Sequence, residues 1–296
     1  MVTPTQIVIS ASRRTDIPAF YMEWFMRQLA AGRFEVVNPY NQKISVVPAA
    51  PEKVHTIVFW SKNFGPFLQN GYINALWGKG YHLFFNFTVN SSCRLIEPHV
   101  PTLESRLEQL TQLSRRVGPD AVHWRFDPIC FFKTRNGQIH NNLEQFEKIA
   151  DTVARLGIRR CITSFLDLYP KLYRRTAGVS DFEWVDPPMD QKIDILMDMA
   201  TRLRKKDIQL YTCCEKEVLE RLPESAVAVQ GACIPNDLLM RLYGGKLSLK
   251  RDTGQRVQKG CGCSISSDIG SYRFHPCFHN CRYCYANPAA SGRKPT

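Results

Sequence analysis

Three cysteines near the end of the chain have the spacing of a metal-binding loop. Cys277, Cys281 and Cys284 form a CxxxCxxC pattern, and thiolates are soft ligands that suit iron–sulfur clusters, zinc or copper(I). Three thiolates in one short loop can hold three irons of a four-iron cluster and leave the fourth without a protein ligand, whereas electron-transfer ferredoxins supply four cysteines to each cluster. An open iron can bind an exogenous ligand, so the pattern favours a catalytic cluster. The alternative is a structural zinc knuckle that adds His279 or another cysteine.

The other cysteines fall into two sets. The chain has eleven cysteines in all, and without a secretory signal, metal or redox chemistry explains them better than a disulfide framework. Cys93, Cys130 and Cys161 are isolated, and the last two lie in apolar runs where a thiol usually fills core space. The remainder crowd into the last third of the chain. From residue 230 onward the sequence is rich in Gly, Ser, His and Pro, so we expect a metal centre to organise this segment.

Six short apolar runs alternate with amphipathic segments along the first two thirds of the chain. The runs are rich in β-branched and aromatic residues and predict strands at 7–10, 56–60, 83–89, 122–126, 161–165 and 208–212. The segments between them predict helices at 20–31, 103–117, 143–156 and 191–203. Strands that alternate with helices pair in parallel, because each parallel connection needs a crossover.

Polar residues follow each of these predicted strands. α/β proteins place their chemistry at the C-terminal ends of parallel strands, so six polar exits favour a (βα)6 partial barrel with an active-site mouth over a doubly wound open sheet. The sequence has no GxGxxG after a strand and no GxxxxGK[ST], which argues against the common nucleotide-phosphate folds. We predict an α/β protein with a (βα)6 partial barrel at residues 1–229. A cysteine-rich extension at 230–296 is expected to close the barrel mouth and to end in a disordered tail.

The CxxxCxxC loop resembles the signature of the radical S-adenosylmethionine (SAM) enzymes, because an aromatic residue, Tyr283, directly precedes Cys284. The resemblance implies a (βα)6 partial barrel and a [4Fe-4S] cluster whose open iron chelates SAM. It also implies an electron donor such as a flavodoxin or ferredoxin, and a contact between Tyr283 and the cofactor. Members of that superfamily normally carry the triplet near the N-terminus, whereas here it is nearly the last element, which suggests a permuted arrangement.

The whole chain also resembles an uncharacterised bacterial family, a domain of unknown function with a C-terminal cysteine cluster. The matching blocks are 9–18, 59–63, 124–128, 212–215, 231–233, 261–263, 268–270 and 281–287. Four further cysteines recur in these blocks, namely Cys213, Cys233, Cys261 and Cys263. Four thiolates suffice for a second, fully ligated [4Fe-4S] cluster, and the alternative is a four-thiolate zinc site. Strand alternation is expected to aim Cys214 away from Cys213.

Polar residues at the predicted mouth are candidates for binding SAM or substrate. In the first exit loop, the hydroxyls of Ser10 and Ser12 and the carboxylate of Asp16 could bind the ammonium group of SAM, and Arg13 or Arg14 its carboxylate. The alternative is that the arginines pair with surface acids and Ser12 caps the next helix.

Arg125 and Asp127 lie two residues apart on a predicted strand and therefore point to one side. They could form a buried pair that lines the cavity as the catalytic residues, and the alternative is a purely structural ion pair. His279 is expected to be an exposed loop residue.

Composition and charge limit the remaining function classes. The 296 residues are 44% hydrophobic, which is typical of a globular protein, and the apolar runs are too short to span a bilayer. The N-terminus predicts no signal peptide, so we expect a soluble, cytoplasmic protein. The net charge of +12 permits a nucleic-acid partner.

The sequence thus predicts a radical SAM enzyme that generates a 5′-deoxyadenosyl radical for the modification of an unknown substrate. The alternative is a non-catalytic, zinc- or iron–sulfur-stabilised nucleic-acid-binding protein.

Overall fold

The computed structural model describes residues 6–39, 41–223 and 228–290. Its strands are β1 Ile7–Ala11, β2 Arg33–Val37, β3 Ile44–Pro48, β4 Val54–Ser61, β5 His82–Thr88, β6 Val122–Ile129, β7 Phe131–Lys133, β8 Ile139–Asn141, β9 Arg160–Phe165, β10 Glu183–Val185, β11 Gln209–Thr212, β12 Val229–Gln230 and β13 Ser267–Asp268.

The α-helices are α1 Ile17–Phe20, α2 Met22–Ala30, α3 Gly65–Gln69, α4 Tyr72–Trp77, α5 Leu103–Val117, α6 Phe146–Arg155, α7 Pro170–Thr176, α8 Met189–Arg204, α9 Lys216–Arg221 and α10 Asn236–Tyr243. Three 3-10 turns lie at Pro51–Lys53, Pro119–Ala121 and Val257–Lys259. Within the described ranges, no helix is long and apolar enough to cross a membrane.

An eight-stranded sheet, parallel throughout, forms the centre of the molecule. Its strand order is β12-β11-β9-β6-β5-β4-β1-β13. The order follows the chain in one direction from β1 to β12, as successive right-handed crossovers produce, and β13 then returns to the free side of β1. Among the described residues β12 and β13 do not pair, so the sheet is not closed. The predicted α/β class and parallel sheet are confirmed, and the two outermost strands were not predicted.

All six predicted strands are present, as β1, β4, β5, β6, β9 and β11. The helix predicted at 103–117 matches α5 at both ends, because its boundaries are encoded locally. The side chain of Thr102 accepts a hydrogen bond from Ser105 N–H at the start, and Gly118 ends the helix with a φ of +84°. The helix predicted at 20–31 corresponds to α2 at Met22–Ala30, and a separate short helix, α1 at Ile17–Phe20, precedes it.

The sheet is buried on both faces, as parallel sheets usually are. One face carries Trp124 and Phe126 of β6 into the main core with the surrounding helices. The opposite face carries Val58, Phe84 and other apolar side chains, which pack against residues of the C-terminal segment. His123 and Arg125 alternate with the core residues of β6 and therefore lie on this second face.

The segment after β12 packs on this second face of the sheet. Leu239 of α10 and Leu247 lie against its apolar residues, and β13 extends the sheet beside β1. The loop that carries the CxxxCxxC cysteines follows β13. The predicted disordered tail lies in 291–296, outside the described residues.

Candidate metal centre and its pocket

A pocket opens where the C-terminal ends of the parallel strands meet. It encloses about 960 Å³, counting the open space at its mouth. Its walls come from the exits of β1, β4, β5, β6 and β9, and from the loop that follows β13. Cys277, Cys281 and Cys284 all line it. The structure therefore brings the three predicted ligands to the edge of the sheet where α/β proteins place their chemistry.

Side chains around α7 hold the backbone of the three-cysteine loop. Arg175 donates to the carbonyl oxygens of Cys281, at 3.0 Å, and of Ala286. Tyr169 donates its hydroxyl to the carbonyl of Tyr283 at 2.9 Å. The loop also closes on itself, because Cys277 N–H donates to the carbonyl of Asn287 at 2.7 Å. These bonds fix the loop over the pocket with its cysteines on the inner side.

Burial raises the pKa of the thiols of Cys277 and Cys281. For Cys281 the negative charge of Glu97 adds to this effect, and the ammonium group of Lys62 opposes it. A buried thiolate needs a compensating positive charge, which a bound metal centre supplies.

The described parts of the chain contain no three His, Cys, Asp or Glu side chains that converge tightly enough to hold a single metal ion. A four-iron cluster attaches each thiolate to a different iron. Its ligands therefore surround a volume and do not meet at a point. Cys277, Cys281 and Cys284 border one pocket without meeting at a point.

Asp16 and His279 join the first strand exit to the cysteine loop. His279 Nε2 lies 2.9 Å from Asp16 Oδ2, and Nδ1 faces the carbonyl of His99 at 3.4 Å. The side chain of His279 is only 2% exposed, so the expectation of an exposed loop residue is wrong. Both ring nitrogens face acceptor oxygens, which leaves neither directed at the cysteines as a zinc ligand.

The carboxylate of Asp16 is fully engaged by protein donors. Besides His279, it accepts hydrogen bonds from Ser61 Oγ at 2.7 Å, from Lys62 N–H at 2.9 Å and from Ala19 N–H at 3.0 Å. A carboxylate offers about four lone-pair positions. Although Asp16 borders the pocket, these bonds leave it no free position for the ammonium group of SAM, for which the sequence made it a candidate.

Asp268 of β13 binds several polar residues at the end of β1 and in the loop that follows it. It accepts hydrogen bonds from Ser10 Oγ and Arg13 N–H, at 2.7 and 2.8 Å, and pairs with Arg14 Nε at 3.2 Å. Ser12 Oγ also donates to it at 3.3 Å. Burial raises the pKa of Asp268, against the opposing effect of Arg13 and Arg14. Ser10 and Arg14 thus stabilise the β1–β13 contact and do not line the pocket, unlike Ser12 and Arg13.

Trp60, near the end of β4, contacts two guanidinium groups at the pocket wall. The guanidinium carbon of Arg13 is 5.4 Å from the centroid of the indole ring, and that of Arg125 is 4.9 Å away. Such cation–π contacts hold the arginines in place. One nitrogen on each arginine, Arg13 Nη2 and Arg125 Nε, is buried without a partner in the described structure.

The predicted pair of Arg125 and Asp127 is present at the pocket. The two side chains form an ion pair, both line the pocket, and Ser164 Oγ donates to Asp127 Oδ1. Burial would lower the pKa of Arg125, but the charges of Asp127, Cys233 and Cys213 raise it. Arg125 thus lines the pocket and also lies within electrostatic reach of Cys213 and Cys233.

A buried network beneath the cysteine loop was not anticipated from the sequence. Lys62 Nζ lies 2.9 Å from Glu97 Oε1, and the hydroxyl of Tyr283 donates to the same oxygen. Asn90 Nδ2 donates to Glu97 at 3.2 Å, and Lys62 lies 5.4 Å from the ring centroid of Tyr283. Tyr283 borders the pocket, and its hydroxyl anchors the loop. Glu97 lies in an irregular segment without periodicity, so the sequence carries no signal for it.

The second group of cysteines lies on the same face of the sheet. Cys233, Cys261 and Cys263 are buried together with Val8, Val58 and Phe84, and Cys213 and Cys214 pack against them. Hydrogen bonds from Cys214, Cys233 and Cys261 hold the pKa of Cys213 well below its ordinary value. The four cysteines predicted as a second ligand set are therefore neighbours in space.

Cys214 does not point away from Cys213 as predicted. The two sulfur atoms are 3.7 Å apart. Strand alternation does not apply here, because β11 ends at Thr212 and Cys214 has a φ of +66°. Gly262, between Cys261 and Cys263, donates its N–H to the carbonyl of Gly231 at 3.1 Å, and a side chain at Gly262 would collide with that oxygen.

Two of the isolated cysteines, Cys130 and Cys161, fill core space as expected. Cys161 lies in the main core of the sheet and helices, and Cys130 is fully buried in a smaller apolar cluster. Burial raises the pKa of both thiols. All cysteines are free thiols in the described structure.

The fold and site define an α/β protein whose cysteine-rich C-terminal segment covers the carboxyl ends of a parallel sheet. Residues 8–286 match the family described as "Domain of unknown function (DUF1848)", and because the match spans nearly the whole chain, the protein belongs to this family. No curated protein matches the chain.

Proposed function

We propose that the protein is a radical SAM enzyme of the DUF1848 family, with Cys277, Cys281 and Cys284 as the ligands of a [4Fe-4S] cluster. The observation that carries the proposal is that all three cysteines border one pocket at the carboxyl ends of the parallel strands. Three thiols without a fourth protein ligand leave one iron for an exogenous chelator. When bound, the reduced cluster would supply one electron to the sulfonium of SAM, which releases methionine and a 5′-deoxyadenosyl radical.

The strand order supports a (βα)6 partial barrel as the proposed scaffold. The strands β1, β4, β5, β6, β9 and β11 are neighbours in chain order, which is the order of a singly wound barrel and not of a doubly wound sheet. In this proposal β12 and β13 are additions at the two edges. The segment after β12 then fills the concave side of the barrel and covers its mouth.

The chain's own residues would bind and orient the ligands. Arg13 borders the pocket with one buried nitrogen lacking a partner, so it is the proposed partner of the SAM carboxylate, with Ser12 beside it. Arg125 and Asp127 are the proposed substrate-orienting pair, and Trp60 keeps both arginines in position. Lys62 and Tyr283, joined through Glu97, hold the ligand loop against the strand ends.

A second [4Fe-4S] cluster at Cys213, Cys233, Cys261 and Cys263 belongs to the same proposal. Its support is that these thiols lie together and that Arg125 connects their surroundings to the pocket. Free thiols throughout the described chain suit a reducing compartment, so we also propose a cytoplasmic location, with a flavodoxin or ferredoxin as electron donor.

SAM cleavage tests the proposal directly. Anaerobically reconstituted, dithionite-reduced protein should form 5′-deoxyadenosine from SAM without added substrate, and the variant with Cys277, Cys281 and Cys284 all replaced by Ala should form none. The matched control is Cys93→Ala, which removes a half-buried thiol outside both ligand sets. Full activity in the triple variant would refute the assignment. A colourless wild-type protein with tightly bound zinc and salt-dependent affinity for nucleic acid would favour the binding-protein alternative.

A further inference from the structure

A second pocket lies on the face of the sheet that carries His123, separate from the cysteine-lined pocket. It encloses about 840 Å³, counting its open mouth, and shares no lining residue with the first pocket. Its floor is formed by His123 of β6, Arg160 of β9 and Tyr211 of β11, which lie on neighbouring strands. Arg251 and Ser264 of the C-terminal segment form the opposite wall.

The imidazole of His123 is the first indication of a ligand. The residue is 1% exposed, it borders the cavity, and neither of its ring nitrogens has a hydrogen-bond partner in the described structure. Its ring is held edge-on to Phe84 with centroids 4.6 Å apart. A buried polar group without a partner is costly, and a ligand in the cavity would provide one.

The charge of the pocket indicates the sign of that ligand. Arg160 donates to the hydroxyl of Tyr211 at 2.8 Å, and Arg251 donates to the carbonyl of Gly262. Neither guanidinium has a carboxylate within ion-pair distance in the part of the chain that the structure describes. Among the described lining residues Asp237 is the one acid, and it is paired with Arg241 at 3.2 Å. The pocket therefore carries an uncompensated positive charge.

We propose that this second pocket binds a tetrahedral oxyanion of the phosphate type, held by Arg160, Arg251 and His123. Guanidinium groups bind phosphate oxygens through paired, charge-assisted hydrogen bonds, and a neutral imidazole can donate one more. The hydroxyl of Ser264 and the amide of Gln230, which also line the cavity, provide further donors. The ligand is either free phosphate or the phosphate group of an ester, and this site does not depend on the proposed SAM chemistry.

Calorimetric titration of the full chain with inorganic phosphate, at constant ionic strength, tests the site. The variant with Arg160→Gln and Arg251→Gln should bind phosphate at least tenfold more weakly, a loss of about 1.4 kcal/mol. The matched control is Arg159→Gln with Lys250→Gln, which removes the same charge from the adjacent positions. Arg159 is paired with Asp207 on the surface, and Lys250 is exposed. The control should keep the wild-type affinity within about twofold.

A second measurement locates the ligand at His123. In protein labelled at its histidine Cε1 atoms, phosphate should shift one resonance, and the His123→Asn variant should lack that resonance. Glycerol phosphate in place of phosphate distinguishes an esterified ligand from the free ion, because the tighter of the two identifies the source. Absence of saturable phosphate binding, equal weakening in both double variants, or shifts confined to the other histidines would each overturn the proposal.

Discussion

Asp16 and His279 are 263 residues apart in the sequence, yet their side chains meet at 2.9 Å in the interior. Asp16 caps α1 directly after the first strand, and His279 lies between Cys277 and Cys281. The contact joins the loop that carries Cys277, Cys281 and Cys284 to the exit of the first strand. The position of the three cysteines therefore depends on a residue at the other end of the chain.

The Asp16–His279 contact should show strong energetic coupling. In a double-mutant cycle with Asp16→Asn and His279→Gln, we expect a coupling energy of at least about 1 kcal/mol, because residues in one buried network do not contribute independently. Urea unfolding of the full chain provides the measurement. The exposed pair Asp198 and Arg202, also 2.9 Å apart, serves as the control and should couple by less than about 0.5 kcal/mol. Coupling equal to that of the surface pair would show that burial adds nothing to the contact.

The two cysteine sets should hold iron independently. We expect about eight irons per chain for two four-iron clusters, and roughly half of that after replacement of Cys277, Cys281 and Cys284 by Ala. The reciprocal variant should also keep about half of the iron, and it carries Ala at Cys213, Cys233, Cys261 and Cys263. It should retain SAM cleavage only if the second cluster is not the electron source for that reaction. Iron and zinc analysis with electron paramagnetic resonance provides the readout. One zinc and no iron in the first variant would make the second site structural, and neither metal would exclude a site there.

Asp268 should be more important for stability than its neighbour Asp252. Replacement of Asp268 by Asn leaves Arg14 without its carboxylate and weakens the bonds from Ser10 and Arg13, so we expect a loss of about 3–5 kcal/mol in the free energy of unfolding. Asp252 is 3.8 Å from Arg13 and pairs with no other cation among the described residues, so Asp252→Asn should cost less than about 1 kcal/mol. Chemical denaturation of both variants measures the two losses in the free energy of unfolding. Similar losses would mean that Asp268 is not the centre of the β1–β13 contact.

His123 should make stability depend on pH below its ordinary pKa of 6.5. Burial, followed by the charges of Arg160 and Arg125, holds the pKa of His123 well below that value, and Cys263 opposes the effect. The unfolded chain therefore binds a proton that the folded protein does not, and stability should fall as pH drops from 6.5, by at most about 1.4 kcal/mol per pH unit.

The His123→Gln variant isolates this contribution, because it keeps a polar side chain without an imidazole. Its unfolding free energy should fall less steeply than that of the wild type between pH 6.5 and 5.5. His82→Gln is the control, because His82 is an exposed residue at the start of β5. Parallel pH profiles for the wild type and the His123 variant would contradict the expectation.

The sequence by itself determined most of the regular elements and the spacing of the three cysteines that border the pocket. Six of the eight strands of the parallel sheet and the full length of α5 follow from periodicity and from local signals such as Thr102 and Gly118, which act within a few residues. The CxxxCxxC spacing likewise specifies a local loop. The pairing of Arg125 with Asp127 was predictable because residues two apart on a strand share a face.

The tertiary structure alone decided which groups meet across the chain. Sequence spacing gives no distance between Asp16 and His279, nor between Asp268 and the four residues it binds, because these contacts depend on where β13 joins the sheet. Cys214 turned toward Cys213 because the chain leaves the strand in a left-handed conformation, where alternation no longer applies. Local patterns determine which face a residue occupies, but the burial and charge of a site are set by the segments that pack over it.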